Sequence, residues 1–137
     1  DVEDPDAVLV LQGSGVTLVF VNEVLPKLKV EGINLRVMYV ASPELFDRLP
    51  QGKKSSIYNE EMARNAMGIT GFTLPTMYRW IQSDLGRNHT MHPFQKGHYL
   101  GSGPGDDVIR EAGLDGPGQY AGIKGFLSAL KDKKSLE

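Results

Sequence analysis

Cysteine is absent from this 137-residue chain. A disulfide scaffold, a thiolate zinc site and a cysteine nucleophile are therefore all excluded. The chain also lacks a charge bias, because 15 basic and 17 acidic residues leave a net charge of −2. Nucleic-acid-binding modules carry a basic face that neutralises phosphates, so we expect no nucleic-acid partner. The longest mostly apolar stretch, residues 16–21, in which only Thr17 is polar, is far shorter than the roughly 20 residues of a membrane span, so we expect no membrane partner either.

What is present is ordinary globular composition, with 40% hydrophobic residues, 16 glycines and 8 prolines. The length suits one domain with its own core, so we predict a single domain over residues 1–137. Residues 1–6 and 132–137 are expected to form flexible ends. The acidic start has no initiator Met and no signal-peptide pattern, and we interpret the chain as a piece of a longer protein.

Apolar runs rich in β-branched residues predict the strands. They are expected at residues 7–11, 33–40 and 65–70, with a weaker fourth strand at 89–94. Between the first two strands, a stripe of Val16, Phe20, Val24 and Leu28 predicts a helix, which Pro26 should kink or end. This order is a βαβ unit. The predicted fold class is α/β, a three-layer, open, mostly parallel sheet with helices on both faces.

Proline and glycine signals predict the remaining helices. One helix is expected to begin near Pro43, and another near Pro75 with its end at Gly86. A third should begin after Ser102-Gly103-Pro104 and end at Gly113, and the last should follow the hinge Gly116-Pro117-Gly118. Apolar positions of the last helix are predicted to face inward: Tyr120, Ile123, Phe126, Leu127 and Leu130. Residues 53–56 are expected to form an exposed loop.

The turn Gly13-Ser14-Gly15 is the candidate binding site of the chain. It lies between a predicted buried strand and a predicted helix start, where free N–H groups favour an anion. A dinucleotide fingerprint would require glycine at Leu18, and no P-loop lysine follows. Ordinary use of small residues in a βα turn explains the pattern as well. We therefore predict at most a small-anion site here.

Other candidate chemistry is weaker. Ser102 lies in Gly101–Gly105, but Leu100 and Pro104 occupy the glycine positions of a nucleophile elbow. His89 and His92 would point to opposite faces of a strand, so a metal site that includes them and His98 is not expected. The adjacent carboxylates, Glu60-Glu61 and Asp106-Asp107, have polar neighbours. No catalytic, cofactor-binding or metal-binding residue is predicted.

Three segments together resemble the C-terminal domain of transketolase-type, thiamine-diphosphate-dependent enzymes. Residues 7–16, AVLVLQGSGV, resemble the opening strand and Gly-Ser turn of that domain. Residues 35–40 followed by 42–47, SPELFD, are similar to its next strand and Ser-x-Glu-Leu-Phe-Asp segment. Residues 99–104, YLGSGP, with Val108 and Gly113-Leu114, resemble its aromatic-Gly-x-Ser-x-Pro turn and following helix.

The resemblance implies a non-catalytic, dimer-supporting domain of a cytoplasmic transferase that moves two-carbon ketol units between sugar phosphates. In that family, thiamine diphosphate and Mg²⁺ bind to other domains through a Gly-Asp-Gly…Asn motif. Here Leu114-Asp115-Gly116 lacks the first glycine, and no asparagine follows it. The implied partners are the remaining domains of the parent enzyme and a second subunit, and the domain alone is expected to be inactive.

Several alternatives remain open. Gln12, Pro26 and residues 72–95 depart from the family pattern. The related pyruvate-dehydrogenase-type and deoxyxylulose-phosphate-synthase-type enzymes therefore stay open as alternative branches. A second class of function is a free-standing α/β module that binds a small anion at Gly13–Gly15. A third is an independent hydrolase that uses Ser14 or Ser102, although neither has the elbow geometry or an acid–base partner.

Overall fold

Three parallel strands form the sheet in the computed structural model, which describes residues 4–94 and 112–136. The strands are β1 (Ala7–Gln12), β2 (Leu35–Tyr39) and β3 (Ala66–Thr70), in the order β2-β1-β3. Leu9 pairs with Val37 on one side and with Met67 on the other. The α/β class and the parallel sheet are thus confirmed, and β3 falls within the predicted residues 65–70.

The predicted fourth strand is reduced to one bridge in the described part of the chain. Met91 pairs in parallel with Ile69, because its N–H donates to the carbonyl of Gly68 and its carbonyl accepts from the N–H of Thr70. The sheet therefore extends past β3 at a single residue rather than along residues 89–94.

The helix after β1 is continuous but changes its winding. It consists of α1 (Ser14–Val19), a π-helical turn (Phe20–Val24) and α2 (Leu25–Val30). Pro26 has no N–H to donate and its ring would clash with the carbonyl four residues earlier in an α-helix. The π turn contains Asn22, the residue four positions before Pro26, and so accommodates this conflict. The helix therefore reaches Val30 instead of ending early.

Three short helices connect β2 to β3: α3 (Pro43–Asp47), α4 (Gln51–Ile57) and α5 (Glu60–Arg64). Ser42 caps α3 as predicted, since its side chain accepts a hydrogen bond from the N–H of Leu45. The prediction of a loop at residues 53–56 was wrong, because these residues lie in α4. The carbonyl of Pro50 accepts from the N–H groups of Lys53 and Lys54 and so starts that helix.

The predicted helix from Pro75 to Gly86 was also wrong. A 3₁₀ turn (Leu74–Met77) is followed by a separate helix, α6 (Asp84–His89). Gly86 lies inside α6 rather than at a helix end. A Cβ on Gly86 would come 2.0 Å from the carbonyl oxygen of Ala66, so the glycine permits α6 to approach β3.

The last helix, α7 (Gly116–Ser135), is confirmed. Asp115 caps it by accepting a hydrogen bond from the N–H of Gly118, so the predicted hinge at residues 116–118 is its first turn. Ile123, Phe126 and Leu130 are buried, and residues 132–135 continue the helix. The predicted helix between Ser102 and Gly113 lies mostly outside the described residues.

The core lies on both sides of the sheet, because successive side chains of β1 point to opposite faces. Ala7, Leu9 and Leu11 pack in the cluster that includes the α1–α2 stripe and α7. Val8 and Val10 pack in a second cluster with Tyr58 and Trp80. Of the helices in the described part of the chain, none has the length and apolar character needed to cross a membrane.

Candidate functional site

The predicted anion-binding turn lies where the carboxyl ends of β1 and β3 meet. From β1 the chain goes first to β2 on one side and later to β3 on the other side. In open α/β sheets, such a reversal leaves a crevice outside the carboxyl ends of the two strands, where ligands commonly bind. Gln12 and Thr70 are register partners at this end of the sheet. Residues 12–15 and 70–76 therefore form the walls of the candidate site.

Gly13 gives the turn its conformation. Its φ of 107° is a backbone region that side-chain-bearing residues rarely adopt. A Cβ on Gly13 would also lie 3.3 Å from the backbone nitrogen of Gly71, in the loop after β3. The carbonyl of Gly13 accepts hydrogen bonds from the N–H and the hydroxyl of Thr17. Glycine at position 13 is thus required both by the turn and by the close approach of the two loops.

The first turn of α1 has no side-chain cap. Gly13 occupies the N-cap position, where Ser, Thr, Asp or Asn would normally accept from a backbone N–H. Ser14 and Gly15 are exposed. Their N–H groups belong to the first turn at the N-terminus of the helix, where partial positive charge accumulates. Binding of an anionic oxygen at this turn stays a prediction.

The side chain of Gln12 connects the two walls. Its Oε1 lies 2.8 Å from the hydroxyl of Thr70 and 3.0 Å from the hydroxyl of Thr76, and both contacts are hydrogen bonds. Thr70 also accepts a 3.0 Å hydrogen bond from the N–H of Phe72. The backbone N–H of Gly71 donates to the carbonyl of Gln12. The loop after β3 is therefore held against the loop after β1.

Phe72 forms an apolar rim above the turn. Phe72 is 54% exposed, and its Cε2 would lie 3.7 Å from a Cβ on Gly13. The site thus combines backbone donors, a fixed amide and an apolar rim.

The histidines do not form a metal site in the described part of the chain. His89 places Nδ1 2.9 Å from the carbonyl of Leu85, and its ring packs against Phe126. Burial lowers the pKa of His92, and its Nδ1 accepts from the N–H of Phe94. No group of three His, Cys, Asp or Glu side chains able to hold a metal occurs among the described residues. His98, Ser102 and Asp106-Asp107 lie outside them.

Sequence reasoning missed Gln12, Thr70, Phe72 and Thr76. A signal for the first two was present, because each is the polar residue that ends a buried strand immediately before a glycine. Gln12 precedes Gly13, and Thr70 precedes Gly71. Nothing in the sequence indicated that these two positions are register partners.

No protein-family profile and no curated protein matches the chain.

Proposed function

We propose that this chain is a non-catalytic, C-terminal-type domain of a transketolase-like enzyme that transfers two-carbon ketol units between sugar phosphates. The observation that carries the proposal is the placement of two of the similar segments. The AVLVLQGSGV segment comprises β1 and its glycine turn, and the SPELFD segment caps and forms α3 directly after β2. The glycine turn of the first segment and α3 of the second therefore follow the carboxyl ends of two neighbouring strands.

The proposal assigns thiamine diphosphate and Mg²⁺ to other domains of the parent enzyme. Asp115 is the nearest counterpart of the family's metal-binding aspartate, and its Oδ1 accepts a 3.0 Å hydrogen bond from the N–H of Gly118. A carboxylate used as a helix cap does not fit a diphosphate-bound metal. The described residues of this domain therefore contribute packing and subunit support, and the thiamine chemistry belongs elsewhere.

Exposed apolar side chains support a domain that packs against partners. Val37 and Tyr39 on β2 are 40% and 50% exposed, although β2 belongs to the sheet. In the described part of the chain β2 pairs only with β1, so its other edge is open. An open edge with apolar side chains favours association with another chain or domain.

The test is an immunoprecipitation from source cells with an antibody raised against this domain. We expect a band several times larger than 15.1 kDa, and thiamine-diphosphate-dependent ketol transfer in the precipitate. The purified 137-residue domain, assayed with the same ketose and aldose phosphates, is the control and should be inactive. A band at the mass of the domain alone, or ketol transfer by the purified domain, would contradict the proposal.

A second candidate function is small-anion binding at Gly13–Gly15, favoured by the uncapped first turn of α1. Inorganic phosphate should then raise the melting temperature of the domain. Replacing Gly13 and Gly15 with bulkier residues should abolish this increase. If phosphate leaves the melting temperature of the unmodified domain unchanged, the anion-binding function is wrong.

A further inference from the structure

A second groove lies at the opposite, amino-terminal end of the sheet. Its volume is about 770 Å³, within the usual range of small-molecule sites. Three parts of the chain form it: residues 5–6 before β1, residues 32–33 after α2, and one face of α7. This groove shares no lining residue with the turn at Gly13–Gly15.

The floor of the groove is apolar and fixed by the core. Leu130 is buried in the core cluster on this side of the sheet, and Ile33 and Leu127 are half-buried against the same cluster. These side chains cannot move freely without disturbing the core. The floor can therefore receive the apolar part of a ligand without reorganisation.

The rim of the groove carries a row of hydrogen-bond donors. Ser128, Lys131 and Lys134 follow one another at spacings of three residues on α7, so their side chains are neighbours on one helix face. Neither Lys131 nor Lys134 has a carboxylate partner among the residues that the structure describes. All three residues line the groove.

The other charged groups of the groove are already engaged. Lys124 forms a 2.9 Å ion pair with Glu31. Asp6 directs Oδ2 to the backbone N–H of Asn34, at 2.8 Å. The N–H of Asn34 is neutral, so Asp6 keeps its negative charge, and Lys131 and Lys134 together still leave the groove with a net positive charge.

We propose that this groove binds a phosphate monoester with an apolar body. A dianionic phosphate matches the two ammonium groups in charge, and its oxygens can accept from both lysines and from Ser128. The apolar body would lie on Ile33, Leu127 and Leu130. The helix dipole gives an alternative reason for lysines in the last turns of α7, but it applies equally to Lys133, which does not line the groove.

The test is a titration of the 137-residue chain with phenyl phosphate, in which binding is measured by calorimetry and by the chemical shifts of the backbone amides in NMR spectra. We expect a dissociation constant of about 1 mM or tighter at low salt. Shifts should concentrate at Gly32, Ser128 and Lys131. Inorganic phosphate, which lacks the apolar body, should bind at least about tenfold more weakly, and benzyl alcohol, which lacks the charge, should not bind.

The matched variants are Lys131→Gln with Lys134→Gln, and Lys133→Gln as the control. The first pair should weaken phenyl phosphate binding about tenfold or more, and the control should change it less than about twofold. Unchanged circular dichroism would show that each variant is folded. Absence of binding, equal loss in the Lys133→Gln control, equal affinity for inorganic phosphate, or shifts at Ser14 and Gly15 instead of the groove would each overturn the proposal.

Discussion

The hydroxyl of Tyr120 donates a 2.6 Å hydrogen bond to Oε2 of Glu31 and so connects α7 to the C-terminal end of α2. Lys124, one turn further along α7, donates to the other carboxylate oxygen at 2.9 Å. These two hydrogen bonds, Tyr120 first, lower the pKa of Glu31. The hydrogen bonds to Glu31 also raise the pKa of Tyr120 and of Lys124.

The contact between Tyr120 and Glu31 is expected to stabilise the fold only between an acidic and an alkaline limit of pH. Because the pKa of Glu31 is lowered in the fold, its contribution is complete above the unfolded value of about 4.3 and is lost as the pH falls through the folded value. Because the pKa of Tyr120 is raised, its contribution is complete below about 10 and is lost as the pH rises through the folded value.

Tyr120→Phe should therefore lower the melting temperature at pH 7, and the difference from the unmodified chain should shrink at both extremes. Thermal unfolding followed by circular dichroism from pH 2 to pH 11 measures it. Tyr78→Phe is the control, because the Tyr78 ring packs against the guanidinium of Arg87 and its hydroxyl has no carboxylate partner among the residues that the structure describes. A difference that is constant over the whole range would contradict the proposed role of the contact.

Gly86→Ala should strongly destabilise the domain. The new Cβ would lie 2.0 Å from the carbonyl oxygen of Ala66 and 2.8 Å from Ile81, so α6 would have to move away from β3. We expect a loss of about 2–4 kcal/mol in the free energy of unfolding, measured by urea denaturation.

The control for this change is Gly125→Ala in α7. A Cβ at Gly125 has no neighbour within 4 Å, and the position is inside a 20-residue helix. Alanine should therefore stabilise the domain by about 0.5–1 kcal/mol. Equal effects of the two alanines would show that the approach of α6 to β3 is looser than described.

Tyr58→Phe should destabilise the second core cluster. The Tyr58 hydroxyl donates to the backbone carbonyl of Trp80, and the two rings pack edge to face with centroids 5.7 Å apart. Phenylalanine leaves that buried carbonyl without its donor, which should cost about 1–2 kcal/mol. Urea unfolding followed by tryptophan fluorescence is specific here, because Trp80 is the single tryptophan of the chain. No change in unfolding midpoint would indicate that the carbonyl finds another donor.

Asparagine substitution should distinguish the two positive-φ glycines at the ends of the first helix. Gly32 has φ 72°, close to the left-handed helical region that asparagine tolerates, and nothing lies within 4 Å of its Cβ position. Gly13 has φ 107° and faces the backbone of Gly71 at 3.3 Å. Gly32→Asn should cost less than about 1 kcal/mol, and Gly13→Asn about 2 kcal/mol or more, measured by urea unfolding. The reverse order would contradict the described turn.

The sequence predicted those elements that have a strong apolar pattern. The uninterrupted run of β1 and the inward stripe of α7 correspond to buried positions along most of their length. By contrast, α4 buries no residue, so no apolar period distinguishes it from a loop. The separation of α6 from the 3₁₀ turn depends on the contact between Gly86 and Ala66, which are 20 positions apart. A local sequence pattern cannot predict a contact between residues so far apart in the chain.

The same distinction applies to the candidate site. Gly13, Ser14 and Gly15 could be predicted, because a strand, a glycine turn and a helix are adjacent in sequence. Gln12 and Thr70 come together only because β3 pairs directly with β1, and they are 58 positions apart. Strand order is set by packing of the whole sheet, so this part of the site required the structure.

The π turn in the first helix has a consequence for how this chain can change in length. Buried Val16, Phe20, Val24 and Leu28 are spaced by four, and in a regular α-helix each such step would rotate the side chain by about 40°. A π turn has more residues per turn than an α-helix, so it reduces this rotation between successive stripe residues. The helix therefore contains one residue more than a regular α-helix of the same length. Deletion of one residue between positions 20 and 24 would therefore restore regular winding, and this helix should tolerate a single-residue deletion better than β1 or α7.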